Sequence, residues 1–257
     1  MTVHYEVEGP IAVVTIDRPE VRNAIDGSTA KQLAESFQNF ESDNTLSVAV
    51  LTGADGTFCS GADLKAVSSD QNNLRVDLEG DGPLGCTRMS LSKPVIAAVE
   101  GHAVAGGLEL ALWADLRVAA NDAVFGVYCR RWGVPLVDGG TIRLPRLIGQ
   151  SHANDMILTG RGVSGQEAFN MGLANRLCSP GMALSEAQNL ARQLAEFPQL
   201  CLRSDRRSSY EQWGMSFEDA LQNETLLGRE TIESGETREG ATRFAQGAGR
   251  HGDFSDI

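Results

Sequence analysis

Apolar residues in the first half of the chain form short runs that end at Gly, Pro or Asp, which is the pattern of buried β-strands. Two such runs flank Gly9-Pro10 and predict a hairpin. A segment with apolar residues at helical spacing follows, and Asp26 stands where its side chain can cap that helix. The predicted strands are 3–8, 11–17, 47–52, 95–99 and 116–119, and the predicted helices are 28–40 and 62–67.

The second half of the chain changes to helical spacing of its apolar residues. Ser164 and Glu167 fit a capping box at the start of one of these helices. The sequence therefore indicates an α/β core over residues 1–195 and a C-terminal helical region over residues 196–257. The predicted helices are 142–148, 153–158, 164–171, 185–197, 198–212, 217–229 and 237–246.

The order of these elements predicts the fold class. Strands and helices alternate between residues 47 and 119, which is typical of an α/β fold with parallel strand pairing. Two intervening segments are rich in turn-forming residues. We predict that 68–85 forms a mobile loop or a weak helix able to cover a pocket and that 125–140 forms an ordered loop.

The functional interpretation centres on residues 100–119. Gly106 and Gly107 follow a buried strand and permit a close approach of the backbone. The helix that they begin is apolar on all sides except for Glu109, so we expect that helix to be buried. A glutamate in its first turns is either favoured by the helix dipole or held as a titratable group. We interpret Glu109 as titratable, beside N–H groups that could hold an oxyanion while the carboxyl group moves a proton.

Composition excludes several classes of partner. The 257 residues are enough for one large domain, and 22 Lys and Arg against 34 Asp and Glu give a net charge of −12. An acidic surface of this kind repels phosphate backbones and anionic lipid, so we expect neither nucleic acid nor membrane as a partner. Any anionic ligand must therefore be held by a local basic group.

Cysteine spacing and the N-terminal sequence predict a cytoplasmic protein. The five cysteines are odd in number and lack metal-binding spacing, so we expect reduced thiols and no metal site. The first residues do not resemble a secretory signal, and no apolar run approaches the length of a membrane span. The motifs of serine hydrolases, zinc proteases and dinucleotide-binding loops are absent as well.

Further candidates carry both a functional and an ordinary interpretation. Gly61, in the sequence F-C-S-G-A-D-L-K at 58–65, permits another close backbone approach. Asp138 lies in a V-D-G-G turn, where turn formation or helix capping is the usual role. Lys65 and Arg22 are ordinary surface residues unless a phosphate-bearing ligand lies nearby.

Taken together, these stretches resemble the crotonase, or enoyl-CoA hydratase/isomerase, superfamily. The resemblance rests on 58–65 and on G-H-A-V-A-G-G-L-E-L-A-L at 101–112, and it extends to 17–24, 139–144, 158–160 and 239–244. It implies an α/β fold in which ββα units form a spiral, with a C-terminal helical region that supports a homotrimer or a homohexamer. It also implies an acyl-CoA thioester as substrate and no cofactor, since coenzyme A is part of that substrate.

The resemblance also implies roles for individual backbone and side-chain groups. The N–H groups of Ala62 and Gly106 would form the oxyanion hole for the thioester oxygen and stabilise the enolate-like charge of the reaction. CoA would lie along Ser60, Ala62 and Lys65, and Arg22 would approach its phosphates. These two cations would supply the local positive charge that an acidic chain requires.

The catalytic groups leave the exact reaction open. Hydratases of this family use two glutamates around one water, and Glu109 matches the first, whereas Cys129 occupies the position of the second. Asp138 is the candidate replacement, because other branches take a catalytic group from this loop. The resemblance implies a lyase of the enoyl-CoA hydratase type. The alternatives are an enoyl- or dienoyl-CoA isomerase, a decarboxylase-like enzyme, and a non-catalytic acyl-CoA-binding or scaffold protein.

Overall fold

The computed structural model describes residues 1–69, 74–249 and 251. Residues 70–73 of the predicted loop at 68–85 lie outside the described residues. Residues 68 and 69 of the predicted segment belong to a helix that begins at Leu64. Residues 74–85 contain neither a helix nor a strand, which agrees with a loop and not with a weak helix in this part of the chain.

A six-stranded sheet forms the centre of the structure. Its strands are β1 (Val3–Glu8), β2 (Ile11–Ile16), β3 (Val48–Gly53), β4 (Val95–Val99), β6 (Leu116–Ala120) and β9 (Arg176–Cys178), in the spatial order β1-β2-β3-β4-β6-β9. Strands β1 and β2 form an antiparallel hairpin, and every other neighbouring pair is parallel. The predicted hairpin and the predicted parallel pairing are both confirmed.

A second sheet has three short strands, which the sequence did not predict. They are β5 (His102–Val104), β7 (Val124–Gly126) and β8 (Gly162–Ser164), with β7 in the middle, parallel to β5 and antiparallel to β8. Each of these strands has three residues, too few for an alternating pattern to be recognised. The prediction that 125–140 is a loop is therefore wrong at its start, where β7 lies.

The helices follow the predicted spacing closely. Asp26 caps the first helix, since its side chain accepts a hydrogen bond from the backbone N–H of Thr29. The two helices predicted at 142–148 and 153–158 join across a kink at Gly149, whose φ of 77° lies outside the helical region. The helices are α1 (Gly27–Ser42), α2 (Leu64–Ser69), α3 (Gly106–Trp113), α4 (Gly140–Thr159), α5 (Gly165–Asn170), α6 (Ala183–Glu196), α7 (Gln199–Glu211), α8 (Phe217–Glu233) and α9 (Glu236–Gln246).

Helices cover both faces of the large sheet, which explains why its strands read as continuous apolar runs. On strand β3, Ala49 and Leu51 belong to the core cluster that includes α1, and the alternate residues Val48 and Val50 belong to the cluster that includes α6. Successive side chains of the strand thus point to opposite faces of the sheet and contact different helices. Both faces are therefore buried, and the sheet is a rigid support for the loops at its edge.

The C-terminal helices attach to this core through polar contacts. Asp115, just before β6, accepts hydrogen bonds from Arg206 and Tyr210 on α7. Helix α6 packs on the large sheet, and the predicted division at residue 195 falls near its C-terminal end. Within the described ranges, no helix has the length and apolar character that a membrane crossing requires.

Candidate active site

The chain enters helix α3 through a strained residue. Ala105 has φ 55° and ψ −125°, a backbone conformation that L-residues rarely adopt. Its N–H donates to the carbonyl of Gly126, and its carbonyl accepts from Leu108 and Glu109. This turn leads directly from β5 into α3, so the N–H of Gly106 stands at the start of a helix, where it has no intrahelical acceptor.

Residues 58–63 are held against this turn by backbone pairing. Cys59 pairs with Ala103, and Ala62 pairs with Ile25. Between them, Gly61 has φ 94°, and a Cβ on Gly61 would lie 2.7 Å from the nitrogen of Gly106. Only glycine permits this approach, because a side chain would occupy the space in front of that nitrogen.

Two half-buried backbone N–H groups come together here. Among the described residues, neither the N–H of Ala62 nor that of Gly106 has a hydrogen-bond partner. Buried or partly buried N–H groups are normally paired. The sequence prediction of an oxyanion hole named these same two groups, and the structure places Gly61, the neighbour of Ala62, against the nitrogen of Gly106.

Glu109 lies one helical turn into α3 and is buried, with 2% of its surface exposed. Its Oε1 accepts hydrogen bonds from the N–H of Asp138 at 2.9 Å and from the N–H of Gly140 at 2.8 Å. Burial raises the pKa of Glu109 to about 7, against the lowering effect of these N–H donors. The burial of Glu109 agrees with the expectation from its apolar helix, and a pKa near 7 would let its carboxyl group gain or lose a proton near neutral pH.

Asp138 approaches Glu109 with its backbone rather than with its carboxylate. Its Oδ1 instead accepts hydrogen bonds from the N–H of Leu84 and from the hydroxyl of Thr87. Burial raises the pKa of Asp138, although both of these donors lower it. The structure thus places the backbone N–H of Asp138 against Glu109, whereas the sequence prediction named its carboxylate as the candidate replacement for the second glutamate.

Cys129 lies near Glu109 in a short 3-10 turn over residues 128–132. The thiol is buried, and burial raises its pKa, with a further increase from the negative charge of Glu109. It is therefore a neutral thiol at neutral pH and cannot act as a second carboxylate. All five cysteines are free, as predicted from their number and spacing.

The residues predicted to hold CoA lie along one edge of the site. The N–H of Ser60 donates to the carbonyl of Arg22, and the hydroxyl of Ser60 donates to the carbonyl of Val21. Arg22 and Lys65 are both exposed, and neither forms an ion pair with a described residue. Two free cations thus flank the segment that carries Ala62.

Sequence reasoning did not identify Arg18, which supports this segment. Its guanidinium group forms ion pairs with Asp63 at 3.0 Å and with Asp26 at 3.3 Å, and it donates to the carbonyl of Ala24. Arg18 therefore ties the residue after Ala62 to the start of α1. The pattern around Arg18 carries no sign of this role, because Asp63 lies 45 positions away.

A cavity of about 1100 Å³ lies on the far side of Asp138. It is bounded by α4, α7 and the loop at 87–92, and it reaches neither Ala62, Gly106 nor Glu109. Its size alone does not make it the reaction site, because the convergent polar groups lie elsewhere.

Comparison with known proteins identifies the family. The family model for enoyl-CoA hydratase/isomerase matches residues 6–251. A carnitinyl-CoA dehydratase from Salmonella arizonae is 39% identical over 82% of this chain and 81% of its own length. Enoyl-CoA hydratase EchA19 from Mycobacterium tuberculosis is 34% identical over 94% of this chain and 92% of its own length.

A solved structure agrees with both sequence relatives. The crystal structure of an enoyl-CoA hydratase from Mycobacterium tuberculosis H37Rv superposes with a TM-score of 0.90 at 37% identity, covering 95% of this chain and 96% of that chain. The crotonase-like α/β fold expected from the sequence is thereby confirmed. The chain belongs to the enoyl-CoA hydratase/isomerase family and is an acyl-CoA enzyme of the crotonase superfamily.

Proposed function

We propose that this protein catalyses the reversible addition of water to a 2-enoyl-CoA, giving a 3-hydroxyacyl-CoA. The observation that carries the proposal is a buried carboxyl group, Glu109, on the helix whose first N–H group is the unpaired N–H of Gly106. That arrangement pairs a proton-transfer group with an oxyanion hole. Two sequence relatives support the same reaction, because their names describe the removal or addition of water at an acyl-CoA thioester.

In this reaction ionised Glu109 removes a proton from a water molecule as the water oxygen bonds to C3 of the enoyl group. The electron pair of the double bond moves onto the thioester oxygen, where the N–H groups of Ala62 and Gly106 stabilise the enolate. Glu109 then gives its proton to C2. The thioester itself is the electrophile, so the proposed reaction requires no metal or redox cofactor.

A single carboxyl group carries both proton transfers in this scheme. The neutral thiol of Cys129 cannot remove a proton from water at neutral pH, because burial and the charge of Glu109 raise its pKa. Glu109 has the opposite property, since a pKa of about 7 lets it accept and release a proton at similar cost. The contrast between the two groups favours Glu109 as the group that transfers both protons.

The lone carboxyl group also supports a second candidate reaction. Moving a double bond from C3 to C2 needs one base that takes a proton from C2 and returns it to C4, with the same oxyanion hole. Glu109 lies on the helix that begins with the N–H of Gly106, whereas Oδ1 of the neighbouring Asp138 accepts from the N–H of Leu84. We rank isomerisation second, because the two sequence relatives described above are named a dehydratase and a hydratase.

CoA binding is proposed for the edge formed by Arg22, Ser60, Ala62 and Lys65. The two exposed cations give local positive charge on a protein of net charge −12. Backbone pairing fixes Ser60 between Arg22 and Ala62. A thioester held at Ala62 would therefore place its CoA portion on a segment that two exposed basic side chains flank.

We also propose that copies of the chain associate into a trimer or a hexamer through the C-terminal helices. Large apolar side chains on these helices are exposed in the single chain, and such surfaces are typical of subunit contacts. They are Phe217, Leu221, Leu226, Ile232 and Phe244.

The proposed reaction is tested by the ultraviolet absorbance of crotonyl-CoA and of a longer 2-enoyl-CoA. Hydration consumes the conjugated double bond, so we expect a catalytic fall in absorbance. A rise in absorbance with a 3-enoyl-CoA, without hydration of either 2-enoyl-CoA, would overturn the proposal in favour of isomerisation. Tight acyl-CoA binding without turnover of any of these thioesters would overturn it in favour of a non-catalytic role.

The pH dependence of the reaction follows from the pKa of Glu109. Because Glu109 must be ionised to act as the base, kcat/KM is expected to fall about tenfold per pH unit below an apparent pKa of about 7. An unburied glutamate would place the same fall near pH 4.5. A profile that stays flat down to pH 5, in buffers where the protein remains folded, contradicts this assignment of Glu109.

A further inference from the structure

Three side chains, those of Thr87, Asp138 and Arg143, hold the loop over residues 81–90 against the start of α4. Asp138 Oδ1 accepts from the N–H of Leu84 at 3.0 Å and from the hydroxyl of Thr87. Arg143 completes the closure, since its guanidinium group donates to the carbonyl of Asp138 at 2.9 Å and to that of Thr87 at 2.7 Å. Asp138, Leu84 and Thr87 are all buried.

The same loop forms a wall beside the oxyanion hole. Leu84 is 1% exposed, and a Cβ on Gly106 would lie 2.9 Å from its Cδ1. Behind Leu84, Gly85 packs against the backbone of Ala30 in helix α1. Leu84 therefore cannot retreat without breaking its hydrogen bond to Asp138, and its position limits the space next to the N–H of Gly106.

Asp138 contacts the other half of the site through its backbone. Its N–H donates to Glu109 Oε1, beside the N–H of Gly140. One residue thus holds the proton-transfer group with its main chain and the wall of the oxyanion hole with its side chain.

We infer that Asp138 is a positioning residue that couples Glu109 to the loop carrying Leu84, and that it is not a second acid or base. This inference rests on the proposed function. It gives a role to Asp138, which the family resemblance offers as a replacement for the second glutamate at the position of Cys129. Oδ1 of its carboxylate accepts from Leu84 and Thr87, and we assign both proton transfers to Glu109.

The charge of Asp138 acts on Glu109 as well. After burial and the N–H donor of Gly140, the negative charge of Asp138 is the next influence on the pKa of Glu109, and it raises that pKa. The other titratable groups coupled to Glu109 are the neutral thiol of Cys129, on the turn at 128–132, and Arg143 on α4. Removing the charge of Asp138 should therefore lower the pKa of Glu109.

Three variants separate the hydrogen bonds of Asp138 from its charge. Asp138→Asn keeps an oxygen that can accept from Leu84 and Thr87 but removes the charge. Asp138→Ala removes both. Thr87→Val keeps the carboxylate and removes one donor to it.

We expect Asp138→Asn to keep kcat within about threefold of wild type at its optimum, and to shift the acidic limb of its pH profile to lower pH. Asp138→Ala should lose about 30-fold to 100-fold in kcat, since a displacement of about 1 Å at a site costs on this order. Thr87→Val should lose an intermediate amount.

Two results would overturn the inference. If Asp138→Asn loses as much kcat as Asp138→Ala while Thr87→Val equals wild type, Asp138 transfers a proton itself. If all three variants only lower the melting temperature, with wild-type kcat and pH profile in the folded enzyme, the contacts are merely structural. Asp43→Asn is the matched control, because Asp43 Oδ1 accepts from the N–H and the hydroxyl of Thr45 in an exposed turn, and this variant should retain wild-type kinetics.

Amide hydrogen exchange at Leu84 gives a readout that does not depend on turnover. We expect the protection of this N–H to be lost in Asp138→Ala and retained in Asp138→Asn. A wild-type protein that hydrates no enoyl-CoA would refute the proposed function and leave this exchange pattern intact. Equal protection of Leu84 in both variants would refute the coupling, whatever the reaction is.

Discussion

Replacing Glu109 by Gln should lower the hydration rate by about 10³-fold to 10⁴-fold without disturbing the fold. General acid–base groups contribute about 10²-fold to 10⁴-fold each, and here one group performs both proton transfers, so the upper part of that range applies. Gln keeps an oxygen that can accept from the N–H groups of Asp138 and Gly140, and it cannot accept the proton of water. The measurement is kcat with crotonyl-CoA, together with acyl-CoA binding by calorimetry.

Glu100→Gln is a matched control for this variant. Glu100 also accepts a hydrogen bond from a backbone N–H at the start of a helix, that of Ala183, at 2.8 Å, but it lies outside the proposed catalytic groups. We expect Glu100→Gln to retain wild-type turnover. Near-normal hydration by Glu109→Gln would remove Glu109 from the mechanism.

The same variant has an expected effect on stability with a definite sign. The pKa of Glu109 is about 7 in the folded protein, against an ordinary value of 4.5. The folded state thus binds more protons between these values, so this group's contribution to stability is complete below pH 4.5 and is lost as pH rises through 7. Glu109→Gln avoids the loss, and its free energy of unfolding should exceed that of wild type at pH 8 by at most about 3 kcal/mol. Chemical denaturation at pH 5 and pH 8 measures this difference.

The sequence predicted those parts of the fold and site that depend on local patterns. Strands β2, β3 and β4 have four or five apolar residues between turn signals, and each was recognised. Glu109 stood out because every neighbour on its helix is apolar, and its burial follows from that pattern. Strands β5, β7, β8 and β9 have three residues each, and pairing with the neighbouring strands stabilises them. A local sequence pattern carries no information about that pairing.

The environment of Asp138 could not be predicted for the same reason. Its side-chain partners Leu84 and Thr87 lie 54 and 51 positions away, in a segment with no helical or strand pattern. The V-D-G-G sequence indicates only a turn, and by itself that turn allows the carboxylate to face Glu109. In the structure Oδ1 faces the loop at 81–90, because it accepts from two donors of that loop.

The second large effect concerns the oxyanion hole and is tested at Gly61. In Gly61→Ala the new Cβ would stand 2.7 Å from the nitrogen of Gly106 and 2.9 Å from the Cβ of Ala105. One of the two N–H donors must then move or be screened from the thioester oxygen. Loss of one such donor typically costs about 10²-fold to 10³-fold in kcat, and we expect a reduction of this size, measured well below the melting temperature of the variant.

Gly56→Ala separates this effect from backbone strain. Gly56 also has a positive φ, of 68°, and a Cβ at this position has nothing within 4 Å. Both alanines carry the penalty of about 1–2 kcal/mol for an L-residue in the left-handed region, but only the one at Gly61 intrudes on the N–H of Gly106. Gly56→Ala should therefore lower the melting temperature and leave kcat unchanged. Equal losses of kcat in the two variants would mean that strain, and not the geometry of the N–H pair, controls the reaction.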